Sequence, residues 1–158
     1  MTDPQIEDGL IIERGGELAE LDLERFEADR GVGLPADYRS FLLAGDGAVF
    51  CDHNRFAETK VSGIDILFAV KDEAIGSFSL AEINDVLAGR VPADFLTIGR
   101  DWVGNMICLG VHGDHTGQVW WWDHERESDE DEPPTTDNLT MLAESFADFI
   151  AGLHQTEG

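Results

Sequence analysis

Three extended stretches that follow one another closely constrain the fold of this chain more than any other feature. They read FLTIG at 95–99, NMICLGV at 105–111 and QVWWWD at 118–123, and short turn sequences separate them. The connection HGDHTG at 112–117 contains two glycines, a composition typical of a hairpin turn. Because such short turns join antiparallel neighbours, the segment predicts an antiparallel meander.

The residues before the meander combine helical and strand patterns. A first helix is predicted from Leu23 to Asp29 with Asp22 as its cap, and a second helix begins at Pro35, since proline suits the first helical position. Apolar, β-favouring residues at 49–51 and 64–70 then predict two strands.

Helical spacing of apolar residues returns at 80–87 and again from Leu139 to Leu153, where it predicts an amphipathic C-terminal helix. Between the meander and this helix, residues 127–138 carry charge and two prolines without an apolar residue, which predicts a solvated, mobile loop. Helices at both chain ends with strands between them indicate a single α+β domain with a central, mostly antiparallel sheet.

Charge and hydropathy restrict the classes of partner. The chain has 158 residues, 42% of them apolar, so one domain with its own core is expected. No apolar run could span a membrane and the start does not resemble a signal peptide, so we expect a cytoplasmic protein. Asp and Glu number 33 against 10 Lys and Arg, a net charge of -23. This excludes nucleic acid and anionic membranes as partners and favours a basic protein; the alternative is that acidity serves solubility or reflects the habitat.

Three segments resemble the SUKH superfamily: GVGLPADYRSFLLAGDGA at 31–48, LTIGRDWVGNMICLGVHGDHTGQVWWWDHE at 96–125 and LAESFADFIAGL at 142–153. Departures are Asp46 in place of the usual asparagine, Ala48 in place of a glycine, and Trp102 within the Gly-rich turn. The resemblance implies an α+β domain, here 21–158, preceded by an extension of unknown role at 1–20.

The resemblance also implies a function class. Bacterial SUKH members are commonly immunity proteins against polymorphic toxins, often nucleases, whereas fungal relatives regulate cell-wall synthesis. Neither group is known for a catalytic site. Two hypotheses follow: an immunity protein that binds and neutralises a basic cognate toxin, or a cytoplasmic regulatory scaffold without a toxin partner. Neither hypothesis sets an oligomeric state.

The tryptophan triplet divides between two faces of its predicted strand, because successive strand side chains point to opposite sides. Because Trp122 matches the tryptophan of the SUKH motif, the resemblance implies that Trp120 and Trp122 face the helices. Trp121 then lies on a second face that is either covered by another segment or available to a partner. The residues that we expect in the core are Leu34, Tyr38, Phe41, Leu42, Phe68, Ile98, Ile107, Leu109, Trp122, Phe146, Phe149 and Ile150.

His, Cys and carboxylate residues cluster at 51–53, 112–115 and 123–125, a composition that metal sites and nucleophilic enzymes also use. Nothing in the spacing makes these groups converge, and neighbouring strand residues such as Cys51 and His53 do not form a nucleophile–base pair. We therefore expect no metal, no cofactor and no catalytic residue, with Cys51 and Cys108 as reduced core thiols. His112 and His115 are expected in a solvated loop.

A partner-binding patch should combine carboxylates, which speed and orient encounter, with an exposed aromatic residue that holds the complex. Turns near the edge of the predicted sheet supply such residues. The predicted binding residues are Asp46, Asp52, Asp72, Glu73, Asp101, Trp102, Asp123 and Glu125.

Overall fold

The described part of the chain folds into nine strands and four α-helices. The computed structural model describes residues 6, 9–56, 63–71, 78–129 and 131–156. The strands are β1 (Ile11–Arg14), β2 (Ala48–Phe50), β3 (Asn54–Phe56), β4 (Ile64–Leu67), β5 (Phe95–Asp101), β6 (Met106–Gly110), β7 (Val119–Trp122), β8 (Leu139–Ala143) and β9 (Leu153–Gln155). The helices are α1 (Glu20–Arg30), α2 (Ala36–Ala44), α3 (Leu80–Val86) and α4 (Phe146–Ala151).

Seven strands form one sheet in the order β1-β2-β4-β5-β6-β7-β8, and β3 pairs with β9 separately. Each of these pairs is antiparallel. The predicted meander is the β5-β6-β7 part, in which Cys108 lies opposite both Thr97 and Trp120. The α+β class and the antiparallel sheet predicted from the sequence are therefore confirmed.

The first helix is longer than its predicted range of 23–29. It begins at Glu20, and Asp22 lies in its first turn, where the carboxylate accepts a hydrogen bond from the Ala19 amide at 3.2 Å. The helix ends at Arg30, and the capping residue that follows, Gly31, has a φ of 67°. Asp22 thus stabilises the helix start from inside the first turn, not from the capping position that we predicted.

The predicted C-terminal helix is wrong over its first half. Leu139 to Ala143 form β8, which pairs with β7, and α4 starts only after Ser145. The Ser145 side chain accepts a hydrogen bond from the Asp148 amide at 3.0 Å and so caps α4. The apolar residues that share a helical spacing therefore belong to a strand, a short helix and β9.

One core joins the helices to the sheet. All twelve residues of the predicted core are buried. The ring of Phe146 in α4 packs edge-on against Tyr38 at 5.0 Å and Phe41 at 5.2 Å, both in α2. Aromatic pairs in this arrangement stabilise a core beyond the effect of the buried area. Helices from the two ends of the chain thus pack on each other.

The segment before residue 20 takes part in this fold. β1 pairs with β2 at one edge of the large sheet, and Leu10 and Leu18 on either side of β1 are buried. None of the helices in the described segments is both long and apolar enough to cross a membrane.

Candidate protein-binding site

The turn between β5 and β6 exposes two neighbouring apolar side chains. Trp102 is 43% exposed and Val103 is 61% exposed. The next residue, Gly104, has a φ of 92°, which other residues rarely adopt, so the turn depends on this glycine. An apolar pair on a tight turn is a projecting contact point, and we call Trp102 and Val103 the hairpin tip.

Asp101 lies beneath the hairpin tip and is only 2% exposed. One carboxylate oxygen, Oδ1, accepts hydrogen bonds from the backbone amides of Val103 at 3.0 Å and Asn105 at 2.9 Å. The other, Oδ2, accepts from Asn105 Nδ2 at 3.1 Å and Trp121 Nε1 at 3.0 Å. Hydrogen bonds to an ionised carboxylate are stronger than neutral ones, so this side chain fixes the turn.

Asn105 connects the turn to the end of β7. Its Oδ1 accepts a hydrogen bond from the His124 backbone amide at 3.1 Å and contacts the His124 Nδ1 atom. His124 begins a single 3₁₀ turn, His124–Arg126. Asn105 is buried, so these bonds are shielded from water. The hairpin tip and the residues that follow β7 therefore form one connected unit.

Two predicted binding carboxylates belong to this unit. The half-buried Asp123 accepts a hydrogen bond from the Glu125 amide at 3.0 Å and so caps the 3₁₀ turn, and Glu125 is exposed. Because His124 between them contacts Asn105 and its ring lies next to Gly104, the segment that carries both carboxylates runs beside the hairpin tip. The structure thus brings Asp101, Trp102, Asp123 and Glu125 together.

Asp52 lies at the same end of the sheet. Ile64 at the start of β4 pairs with Asp101, and the antiparallel pairing of Val49 with Ile66 places the end of β2 beside the start of β4. The exposed Asp52 follows β2 and is two strands away from β5, a separation of roughly 10 Å. It can therefore extend the acidic surface around the tip.

The structure places Asp46 at the opposite end of the sheet. It is buried and accepts hydrogen bonds from the amides of Val70 at 2.6 Å and Lys71 at 3.0 Å, which follow the end of β4. Burial raises the pKa of the Asp46 carboxyl, although the two amides oppose this shift. A buried carboxylate that fixes a turn is not available as a contact. Asp72 and Glu73 lie outside the described residues.

Comparison with known protein families agrees with the motifs in the sequence. The model of the SMI1 / KNR4 family (SUKH-1) matches residues 17–152. The chain belongs to this family. The match contains both long motifs and extends over the hairpin tip. A search of curated proteins finds no match to the chain. Family membership fixes the fold of this SUKH-1 protein, whereas its function must be argued from the site.

The three consecutive tryptophans of β7 have different roles in this SUKH-1 protein. Trp122 is 1% exposed, as predicted, and the Arg90 guanidinium lies 5.9 Å from its ring centre. Trp121 is half-buried and donates to Asp101, so its polar edge supports the hairpin tip. Trp120 is half-buried and packs edge-on against His115 at 4.9 Å. The triplet is therefore mainly structural.

His115 also differs from the prediction of a solvated loop residue. It is half-buried, and its ring stacks on Phe95 at 5.7 Å. Among the described residues, no three His, Cys, Asp or Glu side chains are grouped so that they could hold a metal. Cys51 Sγ contacts the backbone oxygen of His53 at 3.6 Å, and burial raises the pKa of the Cys108 thiol to about 12.

Two parts of the site were missed in the sequence. The sequence analysis did not predict the exposed Val103 or the hydrogen bonds of Asn105. A signal for the turn is present, since an Asp whose side chain bonds the amide two residues later is a common turn motif. The contacts from Asn105 to His124 and from Trp121 to Asp101 depend on strand pairing and carry no local signal.

Proposed function

We propose that this SUKH-1 protein is a non-enzymatic immunity protein that binds a basic cognate toxin domain in the cytoplasm and blocks it. The observation that carries the proposal is the hairpin tip, an exposed apolar pair on a braced turn beside carboxylates. Buried aromatic residues surrounded by a polar rim dominate the energy of protein interfaces. Trp102 is the anchor in this proposal, and Asp52, Asp123 and Glu125 form the rim.

The charge of the chain supports a basic partner. The net charge is -23, and five of the ten basic residues already form ion pairs within the described structure: Arg30, Arg39, Lys71, Arg90 and Arg100. The remaining surface field is strongly negative and attracts cationic surfaces. A nuclease toxin carries cationic side chains for phosphates, and surface carboxylates can occupy the same positions.

The anchor and the rim should affect different steps of binding. Exposed rim charges accelerate the encounter, and salt weakens that effect because charges are screened beyond about 8–10 Å at physiological ionic strength. An aromatic side chain buried in the interface slows dissociation instead. Loss of Trp102 should therefore increase the dissociation rate, whereas neutralising Asp123 and Glu125 should slow association.

An immunity protein is expected to be encoded next to its toxin, so co-expression with the product of an adjacent toxin gene tests the proposal. We expect the wild-type chain to restore growth and Trp102→Ala to protect poorly. Val103→Ala should weaken protection, whereas Val86→Ala, a matched control on α3 with 54% exposure, should not. Failure of the wild type to protect against any adjacent toxin would refute the immunity function and favour the regulatory scaffold. Equal protection by all variants would remove the hairpin tip from the interface.

A further inference from the structure

We propose that Asp101 and Asn105 are positioning residues for partner binding, which act by holding the hairpin tip in one conformation without touching the partner. This inference rests on the proposed function, because it assigns residues to the same interface. Asp101 was predicted as a contact residue, but at 2% exposure it cannot meet a partner's surface. Its position and hydrogen bonds define a brace under the tip.

The four groups that surround the Asp101 carboxylate are all N–H donors. Oδ1 accepts hydrogen bonds from the backbone amides of Val103 and Asn105, and Oδ2 accepts hydrogen bonds from the side chains of Asn105 and Trp121. Only a carboxylate offers acceptors on both sides. An Asp101→Asn change keeps the shape of the side chain, but its NH₂ group replaces one of the two oxygens. In either orientation of the amide, this NH₂ group then faces two N–H donors and cannot bond to them. The brace therefore requires the charge of Asp101, although that charge is hidden from solvent.

Asn105 requires the opposite chemistry. It donates from Nδ2 to Asp101 and accepts at Oδ1 from the backbone of His124, so both halves of its amide are used. An Asn105→Asp change would place a second carboxylate where Nδ2 lies 3.1 Å from the Asp101 oxygen. The two carboxylates would repel each other in a buried site. The Asp101–Asn105 pair is thus fixed in one arrangement.

A braced tip has a direct consequence for binding. Ordering a mobile turn on association opposes binding, and a turn that is already ordered avoids this loss. Gly104 makes the turn possible but allows other backbone conformations, so the brace must select one of them. We expect Trp102 and Val103 to be presented in their binding arrangement before the partner arrives.

Binding kinetics with the adjacent toxin domain distinguish positioning from contact. For Asp101→Asn we expect dissociation to accelerate roughly tenfold or more. The association rate and its salt dependence should change less than in Glu125→Gln, because the Asp101 carboxylate is surrounded by four N–H donors and does not stand in the exposed rim. Glu125→Gln should do the reverse, with slower association and a weaker salt dependence. Hydrogen exchange on the free protein should show faster exchange of the Val103 and Asn105 amides in Asp101→Asn.

A general loss of stability is controlled with Ile83→Val, which truncates a buried residue of α3. The next residue, Asn84, bonds Thr97 near the start of β5, whereas the hairpin tip follows the end of that strand. Ile83→Val should leave the dissociation rate unchanged. Trp121→Phe removes one donor to Asp101 and should increase the dissociation rate moderately. Two results would overturn this inference but not the proposed function. In the first, Ile83→Val and Asp101→Asn increase the dissociation rate equally; in the second, Trp102→Ala dissociates faster than the wild type but Asp101→Asn does not. Absence of binding by the wild type would overturn the proposed function together with it.

Discussion

Truncation of Trp122 should destabilise the protein more than any change at the surface of the sheet. The side chain is 1% exposed. A buried tryptophan removes about 150–250 Å² from water, so its loss forfeits on the order of 4–6 kcal/mol at ~25 cal/mol per Å². Its Nε1 has no hydrogen-bond partner among the described residues, so no such bond is lost. Large-to-small core changes of this type cost about 3–5 kcal/mol, and we expect that range for Trp122→Ala.

Equilibrium unfolding in urea, followed by far-ultraviolet circular dichroism, measures this loss without depending on tryptophan fluorescence. Trp122→Phe should cost less than about 1.5 kcal/mol, because it keeps an aromatic ring and removes the unpaired N–H. Trp102→Ala should change the free energy of unfolding by less than about 1 kcal/mol, as an exposed position. A loss below about 1 kcal/mol for Trp122→Ala would show that the core does not depend on this ring.

Three further changes test local parts of the structure. Burial raises the pKa of Asp46, so the contribution of this group to stability is present at low pH and is lost as pH rises through that pKa. The free energy of unfolding in urea should therefore increase for Asp46→Asn relative to the wild type between pH 4 and pH 7. Ser145→Ala removes the cap of α4 and should cost about 1 kcal/mol by the same measurement. Gly110→Ala would place a Cβ 1.9 Å from the His115 backbone oxygen, and a loss of about 3 kcal/mol or more in thermal unfolding is expected.

The sequence predicts the fold well where hydrophobic periodicity matches a single element. The meander and most of the core residues follow from strand alternation and helical spacing, because burial of one face imposes those periods. The inward placement of Trp122 also used the resemblance to the SUKH motif. The spacing fails from Leu139 onward, where apolar residues of β8, α4 and β9 happen to continue one helical pattern. Ser145 is the signal that separates the helix from the strand. The short strands β1, β3 and β9 depend on distant partners and were not predicted.

The binding site is only partly predictable from sequence. Trp102 stands out because a tryptophan in a Gly-rich turn has no obvious core position, and its exposure agrees with that interpretation. Buried carboxylates such as Asp46 and Asp101 are indistinguishable from exposed ones in a chain with 33 acidic residues. What distinguishes them is the set of amides that surround each side chain, and turn geometry together with strand register determines that set.

The interface itself is the most direct test of the account. Hydrogen–deuterium exchange of the complex between this chain and the proposed toxin domain locates the surface that such a partner covers. We expect new protection at 102–104 and 124–126, with little change along α1. A complex whose protection maps to α1 or to the opposite end of the sheet, with none at the hairpin tip, would contradict the account.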